Sequence, residues 1–308
     1  MKNEKIEILG KRIILMNLPK QMLKYRFVIT ILVVALLSVS ISFCSNRRKW
    51  KIRETRFHKK SQDGEKALTI MRLLSPKEVV GKKLVRIGHD YDGGYVMVDD
   101  IENCIAYSFG IADDVSWDLG MAYRGVDVYM YDHTIKKLPT QHERFHFFKN
   151  GICGENDRGE NLKTFQEILS ENGHIDNKNI ILKIDVEGAE WNAFEEISSE
   201  LLRNFRQIIV EFHGIDMSKN GRNFDKIVNV LNKLNSTHQV VHLHACNYGS
   251  YNIVGGVPMV DVLEVTYLIR NGNFFEKSMK SYPVQGLDKP DCPERADYYL
   301  GFCGLLGE

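Results

Sequence analysis

The chain has 308 residues, 44% of them apolar and 10% aromatic, with 41 Lys plus Arg against 40 Asp plus Glu. That composition excludes a disordered chain, a collagen-like chain and a multi-span membrane protein. The charge is uneven: residues 1–60 hold 15 basic and 3 acidic side chains, which leaves 26 and 37 for residues 61–308, and an acidic folded part argues against nucleic acid as a partner.

In chain order, a basic tail, residues 1–26, leads into the run FVITILVVALLSVSISFC, Phe27 to Cys44. Its 18 uncharged positions lie between Lys24/Arg26 and Arg47-Arg48-Lys49, which predicts a single transmembrane signal anchor over 27–44. A cleaved signal peptide starting at Met16 or Met22 is the alternative, but no Ala-x-Ala-like site follows the run. The flanking charges point the domain to the cytosol, whereas the sequon Asn235-Ser236-Thr237 and five cysteines (Cys104, Cys153, Cys246, Cys292, Cys303) point it to a lumen. We expect a lumenal domain in the endoplasmic reticulum or Golgi, with Cys292 and Cys303 as one candidate pair. Residues 45–67 read as a basic stem and 68–308 as one domain.

Within the domain, strand-length apolar runs occur at Ile105 to Phe109, Val126 to Tyr131, Phe145 to Ile152, Ile180 to Val186, Gln207 to Phe212, Val240 to His244 and Leu263 to Ile269. Between them lie helical spacings: Leu162/Phe165/Ile168/Leu169, Phe194/Ile197/Leu201, and Phe224/Ile227/Val228/Leu231/Leu234. Alternation of this kind predicts right-handed crossovers and a mostly parallel sheet covered on both faces. The segment Tyr248 to Met259 has no helical period, so the last strand is expected to be antiparallel. The result is a Rossmann-like, seven-stranded sheet with one reversed strand, the class I methyltransferase architecture.

Three strand ends carry the chemistry. The first runs into Ser108-Phe109-Gly110-Ile111-Ala112-Asp113-Asp114, a glycine turn before a helix over Val115 to Tyr123. With Ala112 and Val115 at the second and third glycine positions, the dinucleotide fingerprint is absent, which argues against NAD or FAD. The second ends in Asp132, spaced to accept ribose hydroxyls; a cap on the next segment is the alternative. The fourth carries Lys183-Ile184-Asp185-Val186-Glu187-Gly188-Ala189-Glu190, charge that a buried strand end tolerates only if paired or used. Alternation puts Lys183, Asp185 and Glu187 on one side of the sheet, with Lys183 holding Asp185; the competing reading is a Lys183 pair with Asp185 or Glu187 and no chemistry, and Glu190 as a solvated helix residue.

This eight-residue run, with Asp92-Gly93-Gly94-Tyr95, Ser108-Phe109-Gly110-Ile111 and Glu211-Phe212-His213, resembles the FkbM-like S-adenosylmethionine-dependent methyltransferases, in particular the animal membrane-anchored methyltransferase-like proteins. The resemblance covers about residues 85–300. It implies a class I fold, S-adenosylmethionine, and methyl transfer to a hydroxyl of a glycan or small molecule. It implies further that Ser108, Phe109, Gly110 and Asp113 contact the methionine portion, Asp132 the ribose, and the loop from Gly151 and Ile152 to Asp157 the adenine. Asp185, Glu187, Lys183 and His213 then form the catalytic set, with Asp185 or Glu187 orienting or deprotonating the hydroxyl and His213 as the alternative base. Ala112 departs from the pattern, since such turns often carry a second glycine there.

A divalent metal is possible among Asp185, Glu187, Glu211 and His213, although no His-x-x-x-His or Cys-x-x-Cys spacing supports one. His242 and His244 read as edge or core histidines. Two other functions remain open: a metal-dependent nucleotide-sugar glycosyltransferase using Asp90 and Asp92, for which a hairpin turn is the competing reading, and a non-catalytic cofactor-binding membrane protein.

Overall fold

The structure, a computed structural model, describes residues 5–8, 11–14, 61–216 and 224–301. The chain divides into two units, Met1–Phe57 and His58–Glu308. In the first, β1 (Lys5–Ile8) and β2 (Lys11–Ile14) pair antiparallel inside the segment expected to be a plain tail. The anchor 27–44, stem residues 45–60 and Cys303 lie outside the described residues, among which no helix is long and apolar enough to cross a membrane.

The second unit opens with α1 (Gln62–Leu73). Ser61 caps it, its Oγ accepting from Gly64 N at 3.1 Å, and Asp63 and Glu65 suit the positive end of the helix dipole. Ala67 and Ile70 are fully buried, so the folded unit starts inside the expected stem 45–67. Next come β3 (Lys77–Val79), then β4 (Leu84–Ile87) and β5 (Tyr95–Val98), an antiparallel hairpin whose connection carries Asp92-Gly93-Gly94. None of these three strands stands out in the sequence.

The central sheet is built from β6 (Ile105–Phe109), β7 (Asp127–Tyr131), β8 (Phe145–Phe148), β11 (Ile180–Ile184), β12 (Phe205–His213), β13 (His238–Ala245) and β16 (Val262–Ile269). Its order is β13-β16-β12-β11-β6-β7-β8, with β16 antiparallel to both neighbours and the other pairs parallel. That is the expected seven-stranded architecture. Strand order reverses between β6 and β11, where open α/β sheets bind ligands.

The connections hold the departures. The run Phe145 to Ile152 breaks at Lys149-Asn150, so β9 (Gly151–Ile152) leaves the sheet and pairs with β10 (Leu162–Lys163). Leu162 therefore lies on a strand, and α3 (Phe165–Glu171) begins after it with a capping box between Thr164 and Glu167. The period through Phe194, Ile197 and Leu201 spans two helices, α4 (Glu190–Glu196) and α5 (Ser199–Leu202), because Ile197 is extended. α6 (Phe224–Thr237) follows its predicted stripe. Tyr248 to Met259 becomes the hairpin of β14 (Tyr251–Val254) and β15 (Val257–Val260), and β17 (Phe275–Lys277) pairs with β3.

Alternation along β11 and β12 divides the core. Ile180, Leu182, Ile184, Ile208 and Val210 pack with α1, α4 and α6, while Ile181 and Ile209 pack with Ala106, Val128, Met130 and Trp117 of α2 (Ser116–Ala122). Each such aliphatic side chain contributes about 1.5–3 kcal/mol by leaving water. This burial fixes the register that brings the carboxyl ends of β6, β7, β11 and β12 together.

Candidate functional site

A cavity of about 820 Å³ opens at those ends. Its wall includes Gly110, Ile111, Ala112, Asp113, Asp132, Gly151, Ile152, Lys183, Asp185 and Glu187, which collects most of the residues singled out in the sequence. A second cleft of about 720 Å³ lies at the amino ends of β11 and β12, far from the glycine turn, and its cations are engaged: Lys82 and Arg206 with Asp100, Lys178 with Asn204.

Gly110 is required by two constraints at once. Its φ is +76°, and a Cβ there would lie 1.6 Å from the Asp185 carbonyl oxygen, so the glycine lets β6 and β11 end against one another. Lys183 Nζ donates to Gly110 O at 2.7 Å and lies 5.3 Å from the Tyr95 ring centroid. Lys183 thus braces the glycine turn, where an ion pair holding Asp185 was expected. Ala112 takes φ +47°, a left-handed conformation that costs a residue with a Cβ about 1–2 kcal/mol, which is the physical content of its departure from glycine.

Asp132 supplies the compensation. Its Oδ2 accepts from Ile111 N and Ala112 N, both at 2.9 Å, and its Oδ1 from Thr134 N at 2.7 Å and Thr134 Oγ1 at 2.6 Å. Burial pushes its pKa up, but the bonds from Thr134, Ala112 and Ile111 outweigh that and hold it below the ordinary value. The carboxylate therefore fixes the glycine turn and caps the following one. A ribose hydroxyl would compete with Thr134 for it.

Three predicted contacts lie elsewhere. Ser108 and Phe109 are buried within β6, Phe109 stacked on Tyr131 at 5.1 Å, so Gly110 to Asp113 face the cavity in their place. Asp157 is exposed and accepts from Asn192 Nδ2, outside the cavity, where His133 and Thr134 flank Ile152 instead.

Beyond Ile184 the strand ends, and the expected alternation of Lys183, Asp185 and Glu187 ends with it. Glu187 adopts φ +53° and its side chain is 86% exposed. Even so, Asp185, Glu187, Glu190 and Glu211 converge on His213, which is 4% exposed. Its Nε2 lies 3.8 Å from Asp185 Oδ1, 3.5 Å from Glu187 Oε2 and 3.5 Å from Glu211 Oε1, while Nδ1 lies 3.4 Å from Glu190 Oε1. Burial lowers the His213 pKa, but Glu190, Asp185 and Glu187 override it and raise it above the ordinary value. These carboxylates therefore favour the protonated form of His213 more than water favours that of a free imidazole.

Glu190, for which a solvated helix position was the competing reading, is fully buried: Oε1 accepts from His213 N at 2.9 Å and Oε2 from Gly188 N at 2.7 Å. Tyr95, another residue the sequence reading passed over as a site member, donates its hydroxyl to Asp185 Oδ2 at 3.1 Å and Glu211 Oε2 at 3.5 Å. Glu211 is pushed well above the carboxylate range by burial and by Asp185 and Glu264. Asp118, on the buried side of α2 at the cavity wall, is pushed up to about 6 by burial, with Lys183 and Ser108 opposing. No local spacing marks Glu190, Tyr95 or Asp118; only the fold brings them in.

Asp90 and Asp92 diverge. Asp90 is 79% exposed and faces Lys289 at 4.0 Å, whereas Asp92 lines the cavity, raised by partial burial and by Asp185 and Glu264. They do not form a shared metal site. His242 is a buried partner of Asp288 at 2.8 Å, in keeping with a core histidine. Asn235 Nδ2 donates to Leu73 O at 2.7 Å from the last turn of α6, so the sequon asparagine holds α1 in the folded protein. The cysteines Cys104, Cys153, Cys246 and Cys292 are buried free thiols.

A family model described as a methyltransferase domain matches residues 52–253, more than half of the chain, and the chain belongs to that family. Membership sets aside the glycosyltransferase reading. No curated protein matches the chain.

Proposed function

We propose that the protein transfers a methyl group from S-adenosylmethionine to a hydroxyl of a glycan or small molecule, as an FkbM-like enzyme anchored to a membrane by one span over 27–44. The observation that carries the cofactor is the charge of the cavity: among the described residues, Asp92, Asp113, Asp114, Asp118, Asp132, Asp185 and Glu187 line it with a single lysine, Lys183. Such a wall suits a cationic sulfonium with an α-ammonium group and repels the diphosphate of a dinucleotide or nucleotide sugar. The volume also fits, since pockets for ligands of this size run to about 300–1,000 Å³. Ile111, Trp117, Tyr131 and Ile152 supply apolar surface for an adenine ring.

When bound, S-adenosylmethionine supplies an electrophilic methyl group. The chain's own work is to align the acceptor oxygen and remove its proton. Asp185 carries that role in our reading: it sits at the end of β11 against Gly110, a quarter exposed, with Oδ2 held by the Tyr95 hydroxyl and Oδ1 facing His213. The acceptor proton passes to Asp185 Oδ1. His213, whose Nδ1 faces Glu190 at 3.4 Å, directs Nε2 toward Asp185 and stabilises the negative charge developing on the acceptor oxygen. Glu187, at the exposed rim, orients the acceptor. A divalent ion on Asp185, Glu211 and His213, whose ligand atoms lie within 4.8 Å of one another, is the second reading, in which the ion lowers the pKa of the hydroxyl.

Calorimetry on the full-length protein tests the cofactor: S-adenosylhomocysteine binds and NAD does not. A labelled-methyl screen over glycans, lipids and proteins of the secretory pathway then identifies the acceptor. Binding without transfer to any class would favour the non-catalytic cofactor-binding protein. Loss of the transfer in chelator and its return with a divalent ion would favour the metal reading.

A further inference from the structure

Behind the cavity wall lies a second cluster that the methyl-transfer reading does not use. Three adjacent strands align a row of ionisable side chains: Glu211 of β12 pairs in register with Glu264 of β16, and Glu264 with His244 of β13. Like charges directly opposite one another on antiparallel strands are destabilising unless a cation lies between them. Asp291, from the segment after β17, completes the cluster; one donor atom from each of His244, Glu264 and Asp291 lies within 4.8 Å of the other two. All three are buried, with His244 0%, Glu264 5% and Asp291 2% exposed.

Two observations single this cluster out from an ordinary acidic patch. Both carboxylate oxygens of Asp291 are buried without a hydrogen-bond partner, and the nearest imidazole nitrogen, His244 Nδ1, stands 4.0 Å away, so a buried polar group is left that a bound ion would satisfy. The second is the orientation of His244. Its Nε2 lies 3.2 Å from Asp297 Oδ2, while Nδ1 faces Glu264 Oε2 at 3.2 Å and Asp291 Oδ2 at 4.0 Å. An imidazole with one nitrogen held by a carboxylate and the other aimed at further acidic ligands is the arrangement that metal-binding histidines use.

We propose that His244, Glu264 and Asp291 bind a divalent ion of the zinc class through Nδ1, Oε2 and Oδ2, with Asp297 orienting the imidazole. Ligands bound at about 2.0–2.2 Å stand roughly 3–3.5 Å apart around a shared ion, so the 3.2 Å pair is already in place and the 4.0 Å pair closes by less than about 1 Å. The ion takes the place of the Nδ1 proton. One imidazole with two carboxylates is too poor in oxygen for calcium and suits zinc.

The ion clamps the C-terminal segment to the sheet. Asp291 O accepts from Asp92 N at 3.2 Å, and Cys292 N donates to Asn247 Oδ1 at 2.7 Å, next to Tyr248. Asp92 and Tyr248 both line the cavity, so the clamp fixes one of its walls.

Zinc content and zinc-dependent melting of the full-length protein test the proposal after chelator treatment and dialysis against zinc. The expected result is one zinc per chain and a higher Tm on loading, with affinity at least about tenfold lower in Asp291→Asn and in His244→Gln but retained in Asp185→Asn. Asp291→Asn is the decisive variant, because it leaves the strands themselves unaltered. No retained zinc in the unmodified protein, or zinc lost in Asp185→Asn and kept in Asp291→Asn, overturns the assignment. S-adenosylhomocysteine affinity measured on the same samples keeps this outcome separate from the methyl-transfer reading, on which the clamp does not rest.

Discussion

Removing the Asp132 carboxylate tests whether the glycine turn is made before the cofactor arrives. A carboxylate has roughly four lone-pair sites. Asp132 fills them with two turn amides and both donors of Thr134. Thr134 is exposed and regains water when the carboxylate is lost, whereas Ile111 is buried. In Asp132→Ala the buried Ile111 amide therefore loses its acceptor at about 1–3 kcal/mol, and with a smaller loss at Ala112 the total comes to about 2–4 kcal/mol. Asp132→Asn keeps one oxygen for the two amides and should cost about 1 kcal/mol. Because the folded pKa lies below 3.8, the stabilisation is complete above that pH and is lost only as pH falls through the folded value. Urea unfolding near neutral pH, with S-adenosylhomocysteine calorimetry on the same variants, gives the readout. Stability and affinity should fall together in the alanine variant and change little in the asparagine variant. An alanine variant as stable as the parent would refute the bracing role. An asparagine variant of full stability that binds tenfold less tightly would return the carboxylate to direct ribose contact.

Gly110→Ala should yield no folded protein by circular dichroism, since its Cβ would meet Asp185 O at 1.6 Å, whereas Gly173→Ala, at φ +72° with nothing within 4 Å, should cost only about 1 kcal/mol. Ala112→Gly relieves a φ of +47° and should leave stability unchanged or raise it by up to about 1 kcal/mol in urea unfolding, against the loss glycine brings at ordinary positions. Among the contributions to the pH profile of unfolding, two oppose one another in the acid range. Asp118, raised to about 6 by burial, keeps a proton that the unfolded chain releases, so its contribution falls by about 3 kcal/mol as pH rises from 3.8 to 6. His238, lowered to about 4 by burial, stays neutral while the unfolded chain protonates, so its contribution rises by about 3 kcal/mol from pH 4 to 6.5. Asp118→Asn should make stability rise more steeply, or fall less, between pH 4 and 6 than in the parent, and a slope equal to the parent's would contradict the Asp118 assignment.

The sheet was legible because strands buried on both faces must be apolar throughout, and Ile180-Ile181-Leu182 or Ile208-Ile209-Val210 can be little else. The short β3, β4 and β5 were not, since strands of three or four residues carry too little pattern and Arg86 interrupts that of β4. A usable signal for α1 did exist in Ser61 followed by Ala67 and Ile70, but the basic residues before it favoured a stem. Gly110, Asp132 and Asp185 were legible as strand ends facing a cavity. Their bonds were not: that Lys183 holds Gly110 O depends on how far β11 runs before it turns, and the burial of Glu190 depends on β12 crossing above it. Strand alternation placed Glu187 beside Asp185, but periodicity stops where the strand does, and the left-handed turn at Glu187 carries its side chain to the rim.

The acidic end of the sheet has a single electrostatic logic. One nitrogen of His213 faces Glu190 and the other Asp185, Glu187 and Glu211, just as one nitrogen of His244 faces Asp297 and the other Glu264 and Asp291. These neighbours raise the pKa of both histidines, and each histidine, or the ion proposed to replace the His244 proton, brings positive charge to carboxylates that would otherwise repel one another at the ends of β11, β12 and β16. Lys183 is the third cation, and its ammonium is bound to Gly110 O. These three leave the wall facing the cavity acidic. An enzyme that handled phosphate esters would need the opposite sign at this strand end, with helix amides and lysines turned toward the ligand. A cofactor that arrives as a cation and leaves as a neutral thioether is held more strongly before transfer than after it, so the same charges that admit it also favour its release. Neutralising the wall at Asp113, which is exposed and has no bracing duty, should therefore weaken S-adenosylmethionine more than S-adenosylhomocysteine, and equal losses for both would show that the wall acts through shape alone.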